Sequence, residues 1–506
     1  MMDLRFELPA GLGVDKLIAS LDKFADVQLV LQEYCLRTYY DSFDWRLYQN
    51  EILCEFNRSR TASNLVLKNL QNGRVFATLE TPEVPHRAGL LKAGKVRTTL
   101  ETYLEPRALL PLCSLEYEAY HLLLRNEEKR IILRLLLEDY ELLNSQLTLQ
   151  PVRGFLKTAE HIAATLAEEL GMKPLTRSPL DLALALEGRK PNDYSSKLKI
   201  DLDSSMRADL AVKFIFGALL KTMKLNEQGV IADLDSEFLH DFRVAVRRSR
   251  TGLSQLKDVL TADVTSYFAD FFSWLGQVTG PTRDLDVYLA KFERYMLHLP
   301  ADSHADIEPF LGLLQEKRAQ NQRDLAEKLS SAKYRKTLTE WEHCLKSRSY
   351  PESTAAQCPD IKTLADRRIW KIYRRVVKEG RAITPHSPAE NLHELRKTCK
   401  KLRYLIEFFQ SLYPRQQVRK LIKQLKGLQD VLGDFQDLDV QIDYIDRCCK
   451  DNKGELPPAT LRALDELIHQ LTGQKARVRK HYQPAFDAFV QAKNQAVFKA
   501  LFAGQQ

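Results

Sequence analysis

Several things are missing from this 506-residue chain, and each absence narrows what it does. No run of about eighteen apolar residues occurs, and the longest candidate, 211–220, is broken by Lys213, so no membrane-spanning helix is expected. The N-terminus has no basic stretch followed by an apolar one. It carries Asp3, Arg5 and Glu7 instead, so a secretory signal is not expected and the chain reads as cytoplasmic. None of the eight cysteines has a CxxC partner, and only Cys448 and Cys449 are adjacent. That leaves no zinc or redox motif and fits buried, reduced thiols. A large charge of one sign is missing too: 75 Lys and Arg against 67 Asp and Glu leave +8, far from a polybasic coat.

The small excess is nevertheless unevenly placed. Residues 1–200 hold 26 basic and 27 acidic side chains, whereas residues 201–506 hold 49 and 40. The whole excess therefore belongs to the C-terminal three-fifths. With 44% apolar and 28% charged residues, the chain is ordinary globular stock, and its length expects two to four domains.

Residues 1–185 read as mixed α and β. Alternation at 4–8, 52–56, 64–68 and 74–79 suits half-buried strands, and helices are expected at 14–24 and 157–170, the latter stopped by Gly171. Strands in series with few helices suggest an antiparallel sheet or barrel. The polar, aperiodic stretch 187–205 is a linker, and the chain beyond 206 is helical almost throughout. The fold class expected is α+β: an antiparallel β-barrel or tunnel over 1–185, a linker over 186–205, and an all-α domain over 206–500. A second break at 347–359 divides the helical part into halves of about 206–346 and 360–500.

The halves resemble each other. HDFRVAVRRSR at 240–250 answers HELRKTCKKLR at 393–403, and LGQVTGPTRDLDV at 275–287 answers LQDVLGDFQDLDV at 428–440. Both pairs are offset by 153 residues with no gap between them, which implies an internal duplication with pseudo-twofold-related helical bundles. At 100° per residue, His240, Arg243, Arg247 and Arg250 fall on one stripe about 15 Å long. His393, Arg396, Lys400 and Arg403 repeat it, with Lys397 at its edge, and Arg248 and Lys401 occupy one further matched position. The second helix is expected to start with Ser387 as cap, Pro388 in the first turn and Glu390 three on.

Like charges at i, i+3 and i+7 repel, so something must offset them. A solvated face would do so, as would salt bridges to Asp284, Asp286, Asp437 and Asp439. Recurrence at one register, with histidine in the same place, favours two stripes facing each other and holding a linear polyanion. The paired aspartates are not expected to bind metal, because i and i+2 do not share a helix face. The histidines recur with no nucleophile or triad partner, so no catalytic residue is expected among them. A further basic helix contains Arg367, Arg368, Lys371, Arg374, Arg375 and Lys378; it either extends the groove or is a solvated face.

These motifs over about 200–500 resemble the signatures of the CHAD family, an α-helical domain named for its histidines. The resemblance implies two helical bundles around a basic channel and binding of inorganic polyphosphate, in cells that make polyphosphate granules by association with them. Carried onto this chain, the contacts are His240, Arg243, Arg247, Arg250, His393, Arg396, Lys400 and Arg403, with Arg248, Lys397 and Lys401 as further candidates. Val244 stands where the second copy has Lys397.

CHAD domains often follow a CYTH domain, and YYDSFDWRLYQNEIL at 39–53 with FLKTAEHIAATLAEELGMKPL at 155–175 is similar to that family. Its tunnel uses inward carboxylates for divalent metal and inward cations for a triphosphate. The family's Glu-x-Glu-x-Lys strand matches Asp3, Arg5 and Glu7 here, and its Leu-Arg-x-Arg segment matches Leu53, Cys54, Glu55 and Phe56, without either arginine. Lys68 keeps one lysine, 145–150 carries no carboxylate, and a Ser-Lys pair has become Ser178-Pro179. The expectation is a tunnel fold without catalysis, metal or cofactor. The alternative is an inorganic triphosphatase using magnesium or manganese. A third reading, nucleic acid, has no groove-reading motif behind it, so specific nucleic-acid binding is not expected.

Overall fold

A computed structural model describes residues 3–256, 259–347 and 359–503. The chain divides into two compact units, Met1–Ser195 and Ser196–Gln506.

The first unit is built on nine antiparallel strands in the order β5-β4-β3-β2-β6-β7-β8-β1-β9. These are β1 (Leu4–Glu7), β2 (Asp26–Asp41), β3 (Ile52–Ser59), β4 (Ser63–Asn69), β5 (Val75–Glu80), β6 (Leu110–Arg125), β7 (Ile131–Tyr140), β8 (Gln146–Pro151) and β9 (Lys173–Pro174). Period-two alternation gives this tunnel-like sheet an outer and an inner face. Outside, Leu133, Leu135, Leu137, Leu147 and Leu149 pack with helices Val14–Leu21 and Leu156–Leu170. Also outside, Cys54, Phe56, Leu65 and Leu67 pack with helix Lys95–Leu104. Inside, Tyr39, Leu115, Tyr117 and Tyr140 pack against Leu180, Ala183 and Leu184 of helix Pro179–Leu186. Ser178 and Asp181 close a reciprocal capping box at the start of that helix, so the Ser178-Pro179 pair begins a helix that fills the inner face.

Cys54 and Phe56 therefore do not face the tunnel, contrary to the expectation from sequence. Leu53, Glu55 and Asn57 take the other face of β3, because successive residues of a strand alternate faces, so an arginine pattern matched at 54 and 56 falls on the packed outer side. Gly73 sits against Arg5: a Cβ there would lie 1.9 Å from its guanidinium. The β1 strand and the β4–β5 turn are therefore close in space, although five strands separate β1 from β4 in the sheet order.

The second unit is helical. Helices begin at Ala208, Ser236 and Ala262, and again 153 residues later at Ile361, Ala389 and Arg415. Two further helices of each half, from Glu308 and Ala332 and from Pro458 and Tyr482, start 150 residues apart. One difference is local. Helix Arg415–Asp451 runs unbroken, whereas its counterpart divides at Gly280-Pro281 into Ala262–Val278 and Gly280–Ala290, as a proline lacking its N–H requires. The break expected at 347–359 lies outside the described residues, except for its two ends. The stretch 187–207 contains no helix or strand, and the division between units falls within it. No described helix is long and apolar enough to cross a membrane.

Candidate functional sites: a basic groove and a closed tunnel

Two helices carry the matched basic stripes. The first basic helix, Ser236–Gln255, is capped by Asp235, whose carboxylate accepts the N–H groups of Glu237 and Phe238 at 2.8 and 3.1 Å. Phe238, Phe242, Ala245, Val246 and Leu253 bury one face of it. The second, Ala389–Phe409, buries Leu395, Cys399, Leu402 and Phe409. Its start differs from expectation. Pro388 is the residue before the helix, and the Ser387 hydroxyl accepts from the Thr384 N–H at 2.9 Å, tightening the preceding turn instead of capping.

The stripes meet in a groove of about 1060 Å³ lined by Arg247, Arg250, Lys397, Lys400, Lys401 and Tyr404, with Thr265, Ser266, Asp270 and Ser273 from helix Ala262–Val278. Arg247, Arg250, Lys400 and Lys401 have no carboxylate within ion-pair distance among the described residues. The Arg247 Nε is buried with no hydrogen-bond partner there. Burial, then the charges of Arg396 and Arg247, push the Lys400 ammonium down to about 7. Burial and Arg247 likewise push Arg243 down to about 10, against the partial support of Asp284. Arg396 is lowered by burial and Arg247, with Asp437 opposing. Cations that depress one another in this way lack their counter-charge.

The remaining expected contacts are engaged within the protein to different degrees. Arg243 donates to the Thr279 hydroxyl at 2.8 Å and the Gly276 carbonyl at 3.3 Å. Arg396 donates to Gln436 at 2.9 Å and reaches Asp437 at 3.4 Å. Arg248 is tied to Glu407 at 2.7 Å and the Ser196 carbonyl at 3.2 Å, and Arg403 reaches the same Glu407 at 2.7 Å. Glu407 thus engages two cations of the expected set. Lys397 lines the groove but is paired with Glu394 at 2.6 Å. His240 Nδ1 accepts from Arg283 at 3.1 Å, and His393 lies 3.1 Å from Asp439. Each imidazole thus touches the matched segment that carries the paired aspartates. Asp286 and Asp439 pair with Arg318 and Lys475 at 2.9 and 2.8 Å.

The two stripes use matched supports. A Cβ on Gly280 would meet Arg243 at 3.7 Å, and one on Gly433 would meet Arg396 at 3.6 Å. Arg250 rests on Gly276, where a Cβ would fall 2.8 Å from its guanidinium, and Arg403 reaches Gln429, the residue 153 further on, at 3.5 Å. Of these places only Gly276 would be too close with a Cβ; at Gly280 and Gly433 a Cβ would be in ordinary contact.

In the first unit the inner face holds a buried ion cluster that sequence reasoning missed. Arg37 Nη2 lies 2.5 Å from Glu138 and Nε 3.5 Å from Glu55, and Lys68 reaches Glu55 at 2.6 Å. Arg37 also donates to Asn57 at 2.7 Å, Tyr117 at 2.9 Å and Tyr140 at 3.0 Å. Burial, the largest influence, would raise both glutamates, but Arg37 and Lys68 together outweigh it and hold both below the usual range. Two cations face two carboxylates, and the cluster is electrically closed. Asp3 and Glu7 stand on the same face as Arg5 but take only amide partners, Gln150 at 3.4 Å and Asn144 at 2.6 Å. Among the described residues no group of three His, Cys, Asp or Glu is placed to hold a metal. Asp41, within the 39–53 motif, accepts the N–H groups of Leu47 and Tyr48 at 2.8 and 2.9 Å and so fixes a turn. Part of the signal was present in the sequence: Arg37 is a lone charge in the run CLRTYY at 35–40, whereas Glu138 stands beside Asp139 and does not stand out.

Residues 215–446 match the CHAD domain family. No curated protein matches the chain. Among solved structures, the CHAD domain of the plant Ricinus communis is 25% identical with a TM-score of 0.49, over 61% of this chain and 97% of its own. PptA from Streptomyces chartreusis is 13% identical with a TM-score of 0.44, over 56% and 100%. HpAC1 from Hippeastrum, described as an adenylyl cyclase with a dominant triphosphatase activity, is 14% identical with a TM-score of 0.29, over 38% and 99%.

Proposed function

We propose that this chain binds inorganic polyphosphate in the groove between its two basic helices, and that its N-terminal unit is a CYTH-like fold without triphosphatase activity. One observation carries the binding reading: four groove cations, Arg247, Arg250, Lys400 and Lys401, come from two matched helices and have no carboxylate within ion-pair distance among the described residues. A linear polyanion supplies that charge along the groove's length, through charge-assisted bonds to guanidinium and ammonium groups. The equal spacing of helix starts and of arginine–glycine supports favours one unit used twice. The CHAD match points the same way.

The closed ion cluster supports the second half of the proposal. A triphosphate and its metal need cations and carboxylates gathered together on the inner face; Asp3 and Glu7 stand there with amide partners, but among the described residues they form no metal-holding group. Here Arg37 and Lys68 are already neutralised by Glu138 and Glu55, and helix Pro179–Leu186 covers neighbouring apolar surface. Two assays on the full chain test both halves. Long polyphosphate should bind at physiological salt where duplex DNA of equal charge does not; equal binding means a nonspecific cationic surface. Tripolyphosphate with magnesium or manganese should not be hydrolysed, and metal-dependent turnover lost on replacing Arg37 refutes the inactive tunnel.

A further inference from the structure

The most strongly charged of the long helices is neither basic helix. Helix Ile361–Arg381 carries eight Lys and Arg against Asp366 and Glu379, a net of +6. The first and second basic helices each carry a net of only +2, since Glu237 and Asp241, and Glu390, Glu394 and Glu407, share them with their cations. Most of the unit's excess therefore lies outside the groove just described.

On this helix Arg367, Lys371, Arg374 and Lys378 follow one another at four, three and four residues, within about 60° of arc and over about 16 Å. All four are exposed. They line a second groove of about 970 Å³, walled by Trp370 and by Phe502 of helix Ala492–Phe502. It shares no lining residue with the first. Solvated helical cations commonly pair with acids one turn away, as Lys362 does with Asp366 at 2.6 Å and Arg375 with Glu379 at 2.5 Å on this same helix. The four stripe cations have no such partner among the described residues. Nor does the matching helix of the first half show the stripe. The positions 153 residues earlier are Phe214, Ala218, Lys221 and Leu225, so the feature belongs to one half alone.

We infer that this face is a second polyphosphate-binding surface, separate from the groove, which makes the protein prefer long chains over short ones. The inference rests on the reading under Proposed function. A chain of a few phosphates fills the groove only, whereas a long one lies in the groove and on helix Ile361–Arg381 at once, and its second attachment is intramolecular. Nucleic acid is the less suitable occupant: a single aromatic ring, Trp370, stands among the four cations, whereas single-strand binding usually adds stacking of successive bases to a charged groove.

The test is fluorescence anisotropy of the full chain with end-labelled polyphosphate of about ten and of several hundred phosphates, wild type beside Lys371→Glu/Arg374→Glu. Both substitutions are at exposed positions, and circular dichroism checks that helicity is kept. The expected result is a loss of affinity of about tenfold or more for the long chain, with the short chain unchanged. An unchanged long-chain affinity overturns the inference, and so does an equal loss at both lengths, which makes the face part of one site. If the wild type binds neither length, the polyphosphate reading itself falls.

Discussion

Replacing Lys400 by methionine removes a charge from a place where the free protein disfavours it, while keeping a side chain of similar length. Burial, Arg396 and Arg247 together bring this ammonium from 10.5 to about 7, and that displacement corresponds to on the order of 4 kcal/mol near neutral pH. The sign follows from the two states. Below pH 7 the lysine is charged whether folded or unfolded, and the full cost is present. Between pH 7 and 10.5 the unfolded lysine still binds a proton that the folded one has released, so the cost shrinks as pH rises and is gone above 10.5. Lys400→Met should therefore melt higher than wild type at pH 6.5, by on the order of 5 °C for a unit of this size, with the gap closing toward pH 10. Added polyphosphate should reverse the order, because it supplies the counter-charge only the lysine can use. Thermal melts across pH, with and without ligand, read both effects. A variant less stable than wild type at pH 6.5, or a gap that widens with pH, refutes the claim that this cation lacks its partner.

Other outcomes follow from the same geometry. Polyphosphate bound at pH 8 should draw a proton onto Lys400 and at pH 6 almost none, so affinity falls as pH rises above 7; calorimetry in buffers of different ionisation enthalpy measures this, and a pH-independent proton count contradicts it. Glu138→Ala leaves the buried Arg37 guanidinium without its nearest carboxylate and should destabilise the N-terminal unit by about 3 kcal/mol, visible as an earlier urea transition, while polyphosphate affinity stays unchanged.

Much of the fold was legible because half-buried strands alternate visibly. The expected stretches near β1, β3, β4 and β5 all lie on strands of the sheet. The long β2, β6 and β7 were not singled out. Residues such as Leu115, Tyr117 and Tyr140 are buried on the inner face and Leu122 and Leu135 on the outer, so the polar half of the alternation is lost. Alternation also fixes a face only when the register is right, which is how Cys54 and Phe56 were assigned to the tunnel while Glu55 occupies it. In the helical unit the basic stripes could be read from spacing, since four cations at helical intervals share a face whatever surrounds them. Which of them remain unneutralised could not. Glu407 lies beyond the motif that carries Arg403, yet it engages both Arg403 and Arg248 from the other helix. Counting charge by half of the chain also hid that helix Ile361–Arg381 carries more of it than either stripe.

The central claim is that Arg247 and Lys400, from matched helices, hold one polyanion between them. Titrating long polyphosphate into the full chain at physiological salt, wild type beside Arg247→Glu/Lys400→Glu, tests it directly. Reversed charge at these two places should remove groove binding, leave helicity intact, and leave only the weaker, salt-sensitive attachment of helix Ile361–Arg381. Wild-type affinity in the double variant contradicts the account.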